Sequence, residues 1–144
     1  MKKILTSVSA LLLVISICFA FAACRYNVVM TDSAEVFITI EDSLFNKLDE
    51  NNQTLQAYMD LLVEKKALEY TVTNGMVETV NGVTPDASKG EYWFIYSDDT
   101  EFTNEAWGTF EYKGTKFAST TFGIEALPIK VGCTYVFKVG VYEF

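Results

Sequence analysis

The chain contains no histidine. That single absence removes Ser-His and Cys-His nucleophile pairs, and with them the commonest zinc ligand. Gly-x-Ser-x-Gly, P-loop and dinucleotide-binding fingerprints are missing as well. Basic side chains are scarce, with 11 Lys and Arg against 19 Asp and Glu and a formal charge of −8. A surface of that sign repels nucleic acid and anionic membranes. Cysteine numbers three, and Cys18 and Cys24 sit at the N-terminal end, so Cys133 stands alone in the rest of the chain and no disulfide framework is implied. Paired carboxylates of the glycosidase kind remain formally available, but a short chain with one helix offers little room for a cleft. The acidic run Asp98, Asp99, Glu101 and Glu105 lacks the alternating oxygens and glycine of a calcium loop and reads as a solvated turn. These exclusions point to a protein that is not an enzyme and holds no metal.

What is present begins with an address. "MKKILTSVSALLLVISICFAFAAC" sets Lys2 and Lys3 before an uncharged apolar run and closes on small residues, the pattern of a bacterial export signal. Residues 4–23 are also long enough to span a bilayer, so an uncleaved anchor competes with cleavage. Phe21-Ala22-Ala23-Cys24 resembles the lipobox of bacterial lipoproteins, in which the cysteine is acylated and becomes the new N-terminus. The expectation is a signal peptide over 1–23 and a lipid on Cys24, which holds the protein on the outer face of the cytoplasmic membrane or the cell surface. Loss of Lys2 and Lys3 takes the charge of −8 to −10. Cleavage after Ala22 is the alternative; it frees Cys24 to pair with Cys133.

Beyond Cys24 no repeat or low-complexity stretch occurs, which predicts a short tether over 24–34 and one folded unit over 35–144. "AEVFITIED" alternates Val36, Ile38 and Ile40 against Phe37 and Thr39, the pattern of a strand. The period then changes. Leu55, Tyr58, Met59, Leu62 and Val63 recur at three- and four-residue spacing, with Thr54 placed to cap and Lys65 and Lys66 at the C-terminal end. From Leu68 onward, aromatic and β-branched runs separated by Asn-Gly and Lys-Gly pairs predict strands over 68–73, 76–80, 91–97, 108–112, 116–122 and 133–141. One helix cannot cover two sheet faces. It must lie across one face of a curled, mostly antiparallel sheet, an α+β arrangement of the β-grasp kind.

The strings "MVETVNGVTPDASKGEYWFIYSDD" and "FGIEALPIKVGCTYVFKV" resemble the transcobalamin-like C-terminal domain family, small β-grasp modules found in bacterial surface proteins and as the smaller domain of animal cobalamin carriers. The matching pieces are the strand ending at Val80-Asn81-Gly82, the strand start Glu91-Tyr92-Trp93, and the stretch from Gly123-Ile124 to Gly132. The resemblance implies a corrinoid (cobalamin-like) ligand held on one face, with Tyr92, Trp93 and Phe94 on one side and Gly123 and Ile124 opposite. The carriers' helical-barrel domain has no counterpart here, so the implied half-site binds at about micromolar affinity or weaker. Residues 98–121 are longer than the carriers' connection and resemble the inserted β-hairpin of some bacterial members; Trp107, Phe110 and Tyr112 on it form an alternative interaction surface for a protein or glycan.

"EYWFIY" is apolar on both faces, with Trp93 and Ile95 on one and Tyr92, Phe94 and Tyr96 on the other. That predicts a central strand covered by the helix on one side and by the hairpin on the other. Tyr92 and Tyr96, whose hydroxyls need water or a partner, are equally suited to ligand contact. The function implied is a cell-surface lipoprotein binding module for a soluble small molecule or a surface protein or glycan, touching membrane through its lipid anchor and not binding nucleic acid.

Overall fold

The computed structural model of the chain describes residues 25–142; the leader, Cys18 and Cys24 lie outside the described residues. Among the described residues eight strands and two α-helices follow in the order β1 (Val28–Met30), β2 (Val36–Thr39), α1 (Asp42–Phe45), α2 (Leu55–Glu64), β3 (Tyr70–Thr73), β4 (Met76–Val80), β5 (Glu91–Ser97), β6 (Thr103–Tyr112), β7 (Thr115–Thr120) and β8 (Thr134–Val141), with one 3-10 turn, Ala87–Lys89, before β5. Six strands form a sheet in the order β1-β2-β8-β5-β7-β6, and β3 and β4 form a separate ribbon. Every strand pairing is antiparallel. The class is therefore α+β, with an open sheet and few helices.

The alternation read in β2 sorts its side chains as expected, because successive residues of a strand face opposite ways. Val36 and Ile38, with Ile40 just beyond, join Leu55, Tyr58, Met59 and Leu62 of α2 and Tyr135 and Phe137 of β8 in the main core. Thr54 caps α2, its hydroxyl accepting from Ala57 N at 3.3 Å. Val63 departs from the periodic stripe and is 41% exposed. It lies about 100° around the helix from Leu62, on the flank of the stripe. The helix stops in a paired C-terminal turn, with Lys66 N–H bonded to Val63 O and Ala67 N–H to Leu62 O, and Lys66 takes a left-handed φ of 57° in the place where glycine is usual.

Two elements escaped the sequence reading. Val28–Met30, within the stretch expected to be a tether, pairs with β2 from Val28↔Ile38 to Met30↔Val36, and Val28 is 3% exposed. The four-residue α1 buries Leu44; one turn is too short to display a helical period.

The opposite face of the sheet carries a second, smaller core. β5 pairs with β7 only at Tyr96↔Ser119 and Ser97↔Ala118. The register of β6 on β7 shifts between Asn104 and Thr109, where Gly108 has a φ of 136°. A bulge of this kind bends a strand pair, and here the β6–β7 arm folds back over the sheet. Phe37 of β2 consequently meets Tyr112 at a ring separation of 4.5 Å, Phe117 at 5.8 Å and Phe110 at 6.5 Å. Tyr96 sits edge-on to Phe110 at 5.0 Å. The arm covers Tyr96 but stops short of the N-terminal half of β5.

Candidate functional site

The uncovered half of β5 borders a groove of about 820 Å³, walled by Met76 of β4, Trp107 of β6 and Phe122 and Gly123 of the segment after β7, with Tyr142 closing one end. A smaller, more enclosed extension of about 480 Å³ runs from Trp93 under the β3–β4 ribbon toward Thr84 and Pro85.

Each wall has a local cause. Trp93 packs on the main core, edge-on to Phe137 at 6.4 Å, and its indole Nε1 donates to Glu78 O at 3.2 Å. That bond ties the β3–β4 ribbon, which shares no ladder with the main sheet, to β5 and holds Met76 in place. On the other face Phe94 stacks on Tyr142 at 5.8 Å, and Tyr92 meets the same ring edge-on at 6.4 Å. Phe94 can lie over Gly140, its diagonal neighbour on β8 opposite Tyr92, because that position has no Cβ: one there would fall 2.8 Å from Cδ2 and 2.9 Å from Cε2 of the Phe94 ring.

Of the residues singled out by sequence, Tyr92, Trp93, Phe94 and Gly123 border one groove. Ile124 does not border that groove but lines a smaller adjoining cavity of about 170 Å³ together with Tyr92, Trp93 and Gly123. Ile124 is 1% exposed and belongs to the main core, while its carbonyl accepts from Gln56 N at 3.0 Å and so satisfies the first turn of α2. The three hairpin aromatics also separate. Trp107, 62% exposed, reaches the groove, whereas Phe110 and Tyr112 turn inward onto Phe37. The expected aromatic surface on the hairpin is thus reduced to one exposed ring, because Phe110 and Tyr112 share the face of β6 that turns to Phe37, while Trp107 lies before the register shift and outside that contact. Met76, Phe122 and Tyr142 were not foreseen as neighbours; they come from three separate segments, and nothing in their local pattern marks a shared location.

The acidic run is solvated at Glu101 and Glu105, as expected, but not at Asp99. Asp99 is 3% exposed; its Oδ1 accepts from Glu101 N at 3.0 Å and lies 3.6 Å from Lys130 Nζ. Asp98 accepts from Thr134 N at 2.8 Å, and Glu101 and Glu105 pair with Lys130 at 3.2 Å and Lys116 at 2.6 Å. Asp98, Asp99 and Glu101 brace the turn between β5 and β6 against the start of β8 and the segment before it, while Glu105 pairs across to β7. Among the described residues no three His, Cys, Asp or Glu side chains stand together as metal ligands would. Cys133 is a half-buried free thiol whose pKa is pushed up, first by burial and then by Asp98 and Asp99. A raised pKa leaves little thiolate at neutral pH.

The arrangement offers apolar and aromatic contact around a partly open groove. Charged side chains touch it only in the extension, where Glu78 and Glu91 lie. No helix among the described residues is long and apolar enough to cross a membrane. Comparison with known proteins yields no family model, no curated protein and no solved structure that matches the chain.

Proposed function

We propose that this protein is an exported, non-catalytic binding module, lipid-anchored through Cys24, that takes a soluble ligand in the groove beside β5. One observation carries the reading. Met76, Trp107, Phe122 and Tyr142 are 58%, 62%, 47% and 55% exposed, and all four border the same groove. Scattered exposed hydrophobics need no explanation, but a contiguous cluster of large ones around a concavity is the usual mark of a binding surface.

A corrinoid is the ligand class the sequence resemblance supports, within a β-grasp-like domain whose α2 lies across the sheet and whose β6–β7 arm is the inserted hairpin. Tyr92 and Phe94 would meet one side of such a ligand and leave the other in water, which sets the affinity at about micromolar or weaker. Recognition of a protein or glycan by the hairpin aromatics is less well supported, since Phe110 and Tyr112 are committed to the second core. Calorimetry with cobinamide and cobalamin tests the corrinoid reading: heat should be measurable at high-micromolar protein and disappear in a Tyr92→Ala/Trp107→Ala double variant. Equal binding by that variant would move the ligand elsewhere. Anchoring is read separately, since Cys24→Ser should block leader processing and release the protein from the detergent phase.

A further inference from the structure

The groove is not a depression in one face of the sheet. Tyr92, Trp93, Phe94 and Ile95 all border it, although consecutive strand residues point to opposite faces. Trp93 and Ile95 join the helix-side core while Phe94 lies on the other side against Tyr142. A cavity touched by both sets lies off the edge of β5, in the plane of the sheet, which is where ladder hydrogen bonds form.

The backbone on that edge is open. Gly90 O accepts from Tyr142 N at 3.0 Å, next to the pair Glu91↔Val141. In an antiparallel ladder this bond fixes the parity: Tyr92, Phe94 and Tyr96 turn their N–H and C=O toward β8, and Trp93 and Ile95 turn theirs the other way. On that other side the ladder with β7 ends at Tyr96↔Ser119. Had the register continued, Phe122 would stand opposite Trp93. The chain leaves instead, and Thr121 N bonds to Phe102 O at 2.9 Å. Among the described residues the backbone N–H and C=O of Trp93 have no backbone partner.

We propose that this edge accepts an extended peptide segment of another molecule as an added β-strand, in the position the chain vacates after Thr120. The inference rests on the groove being the binding site, not on the ligand being a corrinoid. An added strand places alternate side chains on the two faces of the sheet. One set would meet Met76 and Trp93, the other Phe94 and Tyr142. Glu91 N–H is taken by Asp86 O at 3.1 Å, so the open stretch runs over residues 92–95, about 14 Å at about 3.4 Å per residue, enough for a segment of about four residues. Charge selects further. Glu78 and Glu91 are the charged residues bordering the connected cavities, no Lys or Arg does so, and the chain carries −8 overall. The occupant is therefore a short segment of alternating apolar residues carrying lysine or arginine, bound through its main chain and weakly selective for side chains.

The test is an amide-resolved NMR titration of the labelled protein with a capped peptide of about seven residues, valine and threonine alternating between terminal lysines. Binding should shift the Trp93 amide and slow its hydrogen exchange by about tenfold or more, with a Kd between about 10 μM and 1 mM. Two further peptides carry N-methyl groups on one or the other alternate set of amides. One should lose about tenfold or more in affinity and the other should not, because only one set faces β5. No shift at about 1 mM peptide, or equal binding by both methylated peptides, overturns the strand-addition inference. Cobinamide titrated in parallel separates the two readings: shifts at Tyr92–Ile95 with cobinamide but not with peptide would leave the groove as a site and remove the strand, whereas silence of these residues and of Trp107 toward both would remove the groove.

Discussion

Trp93 joins the core, the β3–β4 ribbon and the groove, so its truncation reads all three. Removing a fully buried large aromatic costs about 3–5 kcal/mol. The indole is half-buried, which reduces that share to about 2 kcal/mol. Loss of the edge-on contact with Phe137 adds about 0.5–1 kcal/mol. The bond from Nε1 to Glu78 O adds about 0.5–1 kcal/mol, at the low end of the usual range because Glu78 is exposed and water can replace the donor. Trp93→Ala should therefore lose about 3–4 kcal/mol, a large part of the stability of an ordinary domain. Trp93→Phe keeps a ring against Phe137 and should lose about 1 kcal/mol. Urea unfolding monitored by circular dichroism gives both values from the midpoints, provided the slope is unchanged. Hydrogen exchange adds a spatial readout: in Trp93→Phe the amides of β4 should open faster while those of β2 and β8 do not, since the lost bond holds the ribbon alone. A loss under about 1 kcal/mol for Trp93→Ala would refute the packing argument. Equal acceleration of β4 and β8 in Trp93→Phe would refute the tethering role of the indole N–H.

Glycine to alanine in a strand ordinarily stabilises by about 0.5–1 kcal/mol, but Gly140→Ala should destabilise by about 1–3 kcal/mol because its Cβ meets the Phe94 ring at 2.8 Å. Combining it with Phe94→Ala should recover part of that loss, and strict additivity in the double-mutant cycle would show that the ring is not the obstacle. Alkaline pH gives an independent check on the core. Tyr58 and Tyr135 are 0% and 1% exposed, and their hydroxyl pKa values are raised above the ordinary 10.0, first by burial, with Asp99 acting further on Tyr135. The folded state keeps protons that the unfolded chain releases near pH 10, so this stabilisation is complete below that pH and is lost as pH rises from about 10 through the higher folded values. The unfolding free energy from urea titration should fall by up to about 1.4 kcal/mol per pH unit per tyrosine above pH 10. Tyrosinate absorbance from these two groups should appear with unfolding, and titration of all tyrosines near pH 10 in the folded protein would contradict their burial.

The parts legible from sequence are those set by local alternation and period. Two faces of β2, the apolar stripe of α2 with its Thr54 cap, and the turns after β3, β4 and β6 follow from spacing of three to four or of two, and from Asn-Gly and Lys-Gly pairs whose left-handed φ values the structure displays. The split of "EYWFIY" into two faces was legible for the same reason. Other features depended on relations between distant segments. Nothing within β6 says that its register on β7 slips at Gly108, or that the arm bends onto Phe37 and so buries the face carrying Phe110 and Tyr112 rather than the one carrying Trp107. Burial of Asp99 needs Lys130, and Ile124 reaches the core in a segment that also docks on the start of α2, where its carbonyl accepts from Gln56 N. The open edge of β5 belongs to the same class. Whether a strand's outer backbone groups are paired is decided by where its neighbour leaves the ladder, and that point, Thr121, was fixed by a bond to Phe102 that only the folded chain brings within reach.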